Sequence, residues 1–187
     1  CQGREVALAN WQQGAALWYS VRAPRLAYEN GRWRESEREE SLPHRPDAFF
    51  TLRTRNPDGR ETEAHFFYEA DRKHTSTKKF NRKLRAHFYY IVKGRLHQKH
   101  YAIRRVRAVL IETIDPHWGE RLREAARHET VSGSKPSPLF WFTTSTLFTN
   151  LIAAAAKPTP TFLVNPAIIF ERIWASPVDD ALHSLLD

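Results

Sequence analysis

The chain of 187 residues carries 29 lysines and arginines against 21 acidic residues, a formal net charge of +8, which makes a polyanion the expected partner. Its length suits one domain, residues 1–187, with a core of its own. No run approaches the roughly 18 to 20 apolar residues of a spanning helix, no basic-then-apolar leader opens the chain, and the one cysteine, Cys1, excludes an internal disulfide framework or a cysteine-built zinc site.

Residues 4–19 mix Val6, Leu8, Trp11, Ala15, Leu17 and Trp18 with polar positions, which predicts a short helix, or a helix and then a strand. Residues 31–39 predict an edge strand ahead of the Leu42-Pro43 break. Asp47–Arg53 and Ala64–Asp71 are β-rich runs on either side of Asn56-Pro57-Asp58-Gly59, a strong turn signal, and are expected to pair as a hairpin. Thr75–Val92 is the clearest helix: Thr75 or Thr77 can cap it, Phe80, Leu84, Phe88 and Ile91 recur at helical spacing, and it ends before Gly94. Val106–Ile114, an almost unbroken β-branched run, reads as a strand buried on both faces. Asp115-Pro116 opens a helix to about His128, with Leu122, Ala125 and Ala126 inward.

Beyond a loop over 132–138, Leu139–Thr143 predicts a short strand, and the residues to Ala156 a helix broken by Pro158 and Pro160. Ile168–Trp174 predicts a last strand, and Ser176-Pro177 with Asp179 and Asp180 a capped terminal helix. The sum is an α/β fold, a mixed β-sheet flanked by helices.

Charge is distributed unevenly. Between Arg72 and Arg107 lie thirteen lysines and arginines, four histidines and no acidic residue, whereas Glu35 to Glu40 is an acidic cluster. The basic stretch is either a solvated face that keeps the chain in solution or a nucleic-acid contact. In the second reading Arg72, Lys73, Lys78, Lys79, Arg82, Arg85, Lys93, Arg95 and Lys99 touch the phosphate backbone. Phe88, Tyr89, Tyr90 and Tyr101 could stack on bases, but aromatics at these spacings are more often core.

The candidate chemistry sits at the hairpin. Side chains alternate along a strand, so His65, Phe67, Glu69 and Asp71 share a face. Folding the hairpin about Pro57-Asp58 places Asp47 beside Tyr68 and diagonal to Glu69; a one-residue shift would oppose the two carboxylates directly. Like charges so placed need a cation or a proton between them. Hard carboxylate oxygens suit magnesium or manganese, which would activate water at a phosphodiester. In the competing structural reading Glu69 and Asp71 merely end the strand and pair with Arg72, Lys73 or Lys83. Lys83 borders the apolar face of its helix and can reach over the sheet to the carboxylates or snorkel without a task, while Arg82 and Arg85 point away. His87 reads as a satisfied core histidine, and His65 as a third ligand only if it lay nearer the pair.

Together, Pro46-Asp47, Glu69-x-Asp71 and Lys83 on the next helix resemble the PD-(D/E)xK nuclease fold. More closely, Arg45–Phe50, Phe66–Arg72, Lys79–Tyr90, Arg107–Asp115 and Ile173-Trp174, in that order, resemble the replication-relaxation family of plasmid and mobile-element proteins, from about residue 41 to 187. The resemblance implies a restriction-endonuclease-like sheet and a role in plasmid replication or relaxation. It implies catalysis by Asp47, Glu69, Asp71 and Lys83, with Mg2+ or Mn2+ on Asp47 and Glu69, DNA as substrate, and other replication or mobilisation proteins as partners. Where the nuclease motif has a lysine two residues after its glutamate this chain has Asp71, so Lys83 would be a relocated lysine; members that bind DNA without cutting it would look much the same. Cytoplasm is the expected compartment. With no methionine and no winged helix evident, the chain is expected to be a fragment of a longer protein that carries an upstream DNA-binding domain.

Overall fold

The computed structural model describes residues 4–72, 76–145 and 166–187. Seven strands form one mixed sheet: β1 (Glu5–Gln13), β4 (Ala48–Arg55), β5 (Glu61–Asp71), β6 (Ala108–Thr113), β7 (Phe140–Thr144), β8 (Trp174–Ala175) and β9 (Leu182–His183), in that spatial order. The β5, β6 and β7 neighbours run parallel and the remaining pairs antiparallel. A separate two-stranded ribbon, β2 (Tyr19–Glu29) and β3 (Arg32–His44), turns at Asn30-Gly31, both in left-handed backbone, as a tight right-twisted hairpin requires.

The expected β4–β5 hairpin forms. Its turn places Gly59 at φ +80, and paired positions sum to 116 from Ala48–Tyr68 through Arg55–Glu61. Alternation along these strands divides the apolar residues between two cores. Phe49 and Phe67 face the helices with Val109, Ile111, Phe140 and Phe142, whereas Phe50, Leu52 and Phe66 face the other way with Leu110, Trp141 and Trp174. The expected doubly buried strand is β6, whose Ala108 to Ile111 are closed on both sides.

The long helix runs from Thr77 to Phe88 (α1) and continues as a π turn over Tyr89–Lys93, closed by Gly94 N–H donating to Tyr89 O at 2.7 Å. The wider turn lets Tyr89 and Tyr90 both enter the core beside Phe88 and Ile91. Ser76, rather than Thr75 or Thr77, is the N-cap, its side chain accepting from Lys79 N–H at 3.4 Å; Thr75 itself lies outside the described residues. A short α2 (Leu96–Tyr101) leads to β6, α3 (Pro116–Ala126) follows it, and α4 (Glu129–Ser132) precedes β7. Asp115 caps α3 as expected, accepting from His117 N–H at 2.8 Å and Trp118 N–H at 3.2 Å, and Leu122 and Ala126 are buried while Ala125 is half-buried. Asp115→Ala is expected to cost about 1 kcal/mol, read as a lower denaturant midpoint with an unchanged slope.

Three expectations need correction. Residues 4–19 form strand β1, a 3-10 turn at Gly14–Leu17 and the start of β2, not a helix. The ladder shifts by one residue between Leu8 and Asn10, so Val6, Leu8 and Trp11 pair with Thr54, Leu52 and Phe50 on one face. That bulge gives a strand the unequal spacing of a helix. Ile168–Trp174 begins within a 3-10 turn at Pro166–Phe170 and is extended only from Trp174, and the terminal helix after Ser176-Pro177 is absent. Instead Ser176 and Asp179 side chains accept from Val178 and Ala181 N–H, making turns that return the chain as β9 and seat Trp174 and Leu185 in the second core. Finally, the described helices do not flank the sheet: their buried residues join the first core, and the carboxyl-terminal segment covers the other face. The helix expected up to Ala156, with Pro158 and Pro160, lies outside the described residues. Among the described residues no helix is long and apolar enough to cross a membrane.

Candidate functional site

Asp47 stands just before β4 and beside Tyr68, as the turn centre suggested: its N–H donates to Tyr68 O at 3.0 Å, and its Oδ2 accepts from Ala70 N–H at 2.8 Å, which brings its carboxylate within reach of Glu69. Asp47 is exposed, Asp71 half-buried and Glu69 only 2% exposed, so the cluster has one acid open to solvent and one closed off. It lies near the carboxyl end of β5, where β5 and β6 run parallel, the end of a parallel sheet at which ligands bind.

Lys83 reaches back over the sheet and pairs with Glu69 Oε2, and His87, one helical turn on, meets Glu69 Oε1 at 2.6 Å. Phe80 and Leu84 anchor α1 in the core beside them. Asp71 accepts from Trp118 Nε1 of α3 at 3.4 Å. The structure thus brings Asp47, Glu69, Asp71 and Lys83 to one face. His65 is not with them; its Nδ1 meets Thr51 Oγ1 at 2.9 Å, further back along the strand.

Burial raises the Glu69 pKa well above the carboxylate range, opposed by Lys83 and reinforced by Asp47. Burial acts to lower Lys83, but Glu69, Asp47 and Asp71 outweigh it and raise its pKa overall. Burial disfavours charge on both groups, and what holds the proton on Lys83 is the carboxylates beside it. His87 is pushed the other way, to about 3, by burial and then by Lys83, and is a neutral partner of the glutamate.

The basic surface is smaller than the sequence suggested. Arg85 does not point away: it is 4% exposed, pairs with Glu40 at 2.5 Å and donates to Pro24 O. Arg82, although more exposed, donates to Ser41 O at 3.2 Å and lies 3.7 Å from Glu40. Tyr89 OH donates to Glu35. The acidic cluster on β3 therefore neutralises one side of α1, a pairing invisible until the ribbon is seen lying on the helix. Arg72, Lys78 and Lys79 remain exposed beside the carboxylates, and Lys93, Arg95 and Lys99 are exposed past the other end of α1. Those two groups are about 25 Å apart by helical rise. Lys73 lies outside the described residues.

Two residues that shape the pocket carry no signal in their spacing. Trp118 is one. The other is His44, fully buried, stacked on Tyr90 at 3.8 Å and edge-on to His87 at 4.6 Å, with neither ring nitrogen hydrogen-bonded. Its place three residues before Asp47 is the only hint.

No family model, curated protein or solved structure matches this chain.

Proposed function

We propose that this chain is a DNA-binding protein of plasmid replication or relaxation, and that its pocket hydrolyses phosphodiesters with a divalent metal, as an endonuclease or nickase of PD-(D/E)xK type. The supporting observation is the meeting of two carboxylates from neighbouring strands with a lysine from the following helix, at the open end of the parallel strands. Independent of any resemblance, Asp47 and Glu69 lie close enough to act on each other, as like charges that a cation between them would relieve.

Asp47 and Glu69 are hard carboxylate donors of the kind that would hold Mg2+ or Mn2+, Asp47 open to solvent and Glu69 by giving up its contact with Lys83 or His87. Among the described residues no group of three or more His, Cys, Asp and Glu side chains is set for a metal ion, so substrate oxygens and waters would complete the shell. When bound, the metal would lower the pKa of a water and offset phosphate charge. Lys83, with its raised pKa, is an ammonium at neutral pH and cannot be the base; it offsets charge on the phosphoryl oxygens in the transition state. Asp71 accepts the proton of the attacking water. The water oxygen bonds phosphorus as one bridging P–O bond breaks, and the leaving oxygen takes up a proton.

A second reading, a DNA-binding module of the same fold that does not cut, has its own observation: Glu69 is closed off and both its oxygens face partners. Supercoiled plasmid decides between them. Nicking that requires Mg2+ or Mn2+ and falls at least about a hundredfold in Asp47→Asn, at unchanged DNA affinity, supports catalysis. Retarded but intact plasmid under the same conditions supports the binding module, and equal cutting by parent and variant removes the pocket from the chemistry.

A further inference from the structure

A groove of about 750 Å³ opens at the opposite end of the parallel strands, between α2, the π turn and the loop before β7. Arg107 N–H donates to His65 O at its edge, four residues before Glu69, which puts the groove roughly 13 Å back along β5. Its floor is apolar: Phe88, Ile91, Val106, Leu139 and Trp141. Its rim is cationic: Arg95, Arg104, Arg105, Arg107 and Lys135, against one carboxylate, Asp179, which already faces His183 at 3.4 Å. Arg95, Arg104, Arg105 and Lys135 have no acidic partner among the described residues, and Arg95, Arg104 and Arg105 are exposed.

The groove is also built from below. His97 lines it at 4% exposure with its Nδ1 unpartnered. Arg95 and Ala102 hold α2 between two left-handed, non-glycine positions, φ 49 and φ 54, a conformation kept only where the surroundings impose it. Arg107 lies over the Trp141 ring at 5.5 Å, so a guanidinium already stacks at the floor.

Cations around an apolar floor suit a ligand with phosphates on one side and exposed rings on the other. We infer that this groove binds a single strand of nucleic acid, its phosphates on the arginine rim and its unpaired bases against the floor. A duplex offers its phosphates but keeps its bases stacked away from such a floor. The inference does not depend on the carboxylate pocket cutting anything.

The test is fluorescence anisotropy of a labelled oligothymidylate of about ten nucleotides, titrated with the full chain at several salt concentrations. Arg104→Gln with Arg105→Gln is expected to weaken binding at least tenfold and to lower the slope of log affinity on log salt by about 1.4, the share of two phosphate contacts on a single strand. Arg104→Lys with Arg105→Lys keeps the charge and is expected to stay within a few-fold of the parent. Arg25→Gln with Arg60→Gln, which removes the same charge from exposed positions outside both sites, is expected to stay within a few-fold of the parent, and the plasmid assay reports on the carboxylates separately, so failure here and failure there are distinguishable. Unchanged affinity in the Arg104→Gln, Arg105→Gln variant overturns the inference. So does displacement of the oligomer by an equal nucleotide concentration of duplex, or retention on anionic phosphatidylglycerol vesicles that the oligomer does not reverse.

Discussion

Lys83→Met is expected to lower stability by about 3 kcal/mol at pH 7, the bottom of the range for breaking a buried pair, because Lys83 is 35% exposed while Glu69 is closed off. The change strands a carboxylate on the pocket floor with only neutral His87 as partner. Glu69 then escapes by taking a proton, so the deficit grows as pH rises: smaller at pH 5 than at pH 8. Adding Glu69→Gln removes the stranded charge, and the double variant is expected to regain most of the loss. Urea unfolding of the parent, both single variants and the double closes the cycle. Additive effects, with no recovery in the double variant, would show that the pair is a surface contact and the pocket is not charge-coupled.

His44→Phe is expected to stabilise the chain by about 1 kcal/mol at pH 7, since two buried ring nitrogens without partners are replaced by carbon in a ring of similar shape. The larger effect is on acid sensitivity. Burial, then His87, His100 and Lys83, holds the His44 pKa well below 6.5, and His87 is held near 3. Both histidines are neutral when folded and gain a proton when unfolded below about pH 6.5, so the stability they confer is present above that value and is lost as pH falls. Glu69 acts in the opposite sense: its raised pKa lends stability at acid pH that is lost as pH climbs past 4.5 towards its folded value. Removing His44 is expected to lower the slope of stability on pH between 6.5 and 4.5 by about 1.4 kcal/mol per unit, the worth of one proton. Thermal midpoints measured across that window test it; parallel curves for parent and variant would mean that His44 titrates normally.

What the residue pattern disclosed was local. Alternation in β4 and β5, the Asn56–Gly59 turn, the apolar spacing of α1 and the Asp115-Pro116 start each act over a few neighbours, and each formed near its expected place. The carboxylate meeting followed from two of these, with Asp47 beside Tyr68 as a turn centred on Pro57-Asp58 implied. What escaped were features set by distant segments. No short-range rule says that an acidic ribbon will lie on α1 and absorb Arg82 and Arg85, that a bulge near Ala9 will disguise a strand, or that Trp174 will be buried by a chain returning as β9. The helices gathered on one face for the same reason: the sequence marks which residues are apolar but not which face of the sheet they will cover.

The ribbon is inserted between strands that are immediate neighbours. Gln13 closes β1 opposite Ala48, which opens β4, so everything from residue 14 to 47 leaves the sheet and rejoins it at one spot. It is nonetheless part of the main core rather than an appendage: Leu17, Val21, Ala23 and Leu42 are buried with α1, so the ladder closes without the ribbon but the first core does not. Asp47 stands where the ribbon rejoins the sheet, so the position of the exposed acid is set by the same packing that seats the ribbon on α1.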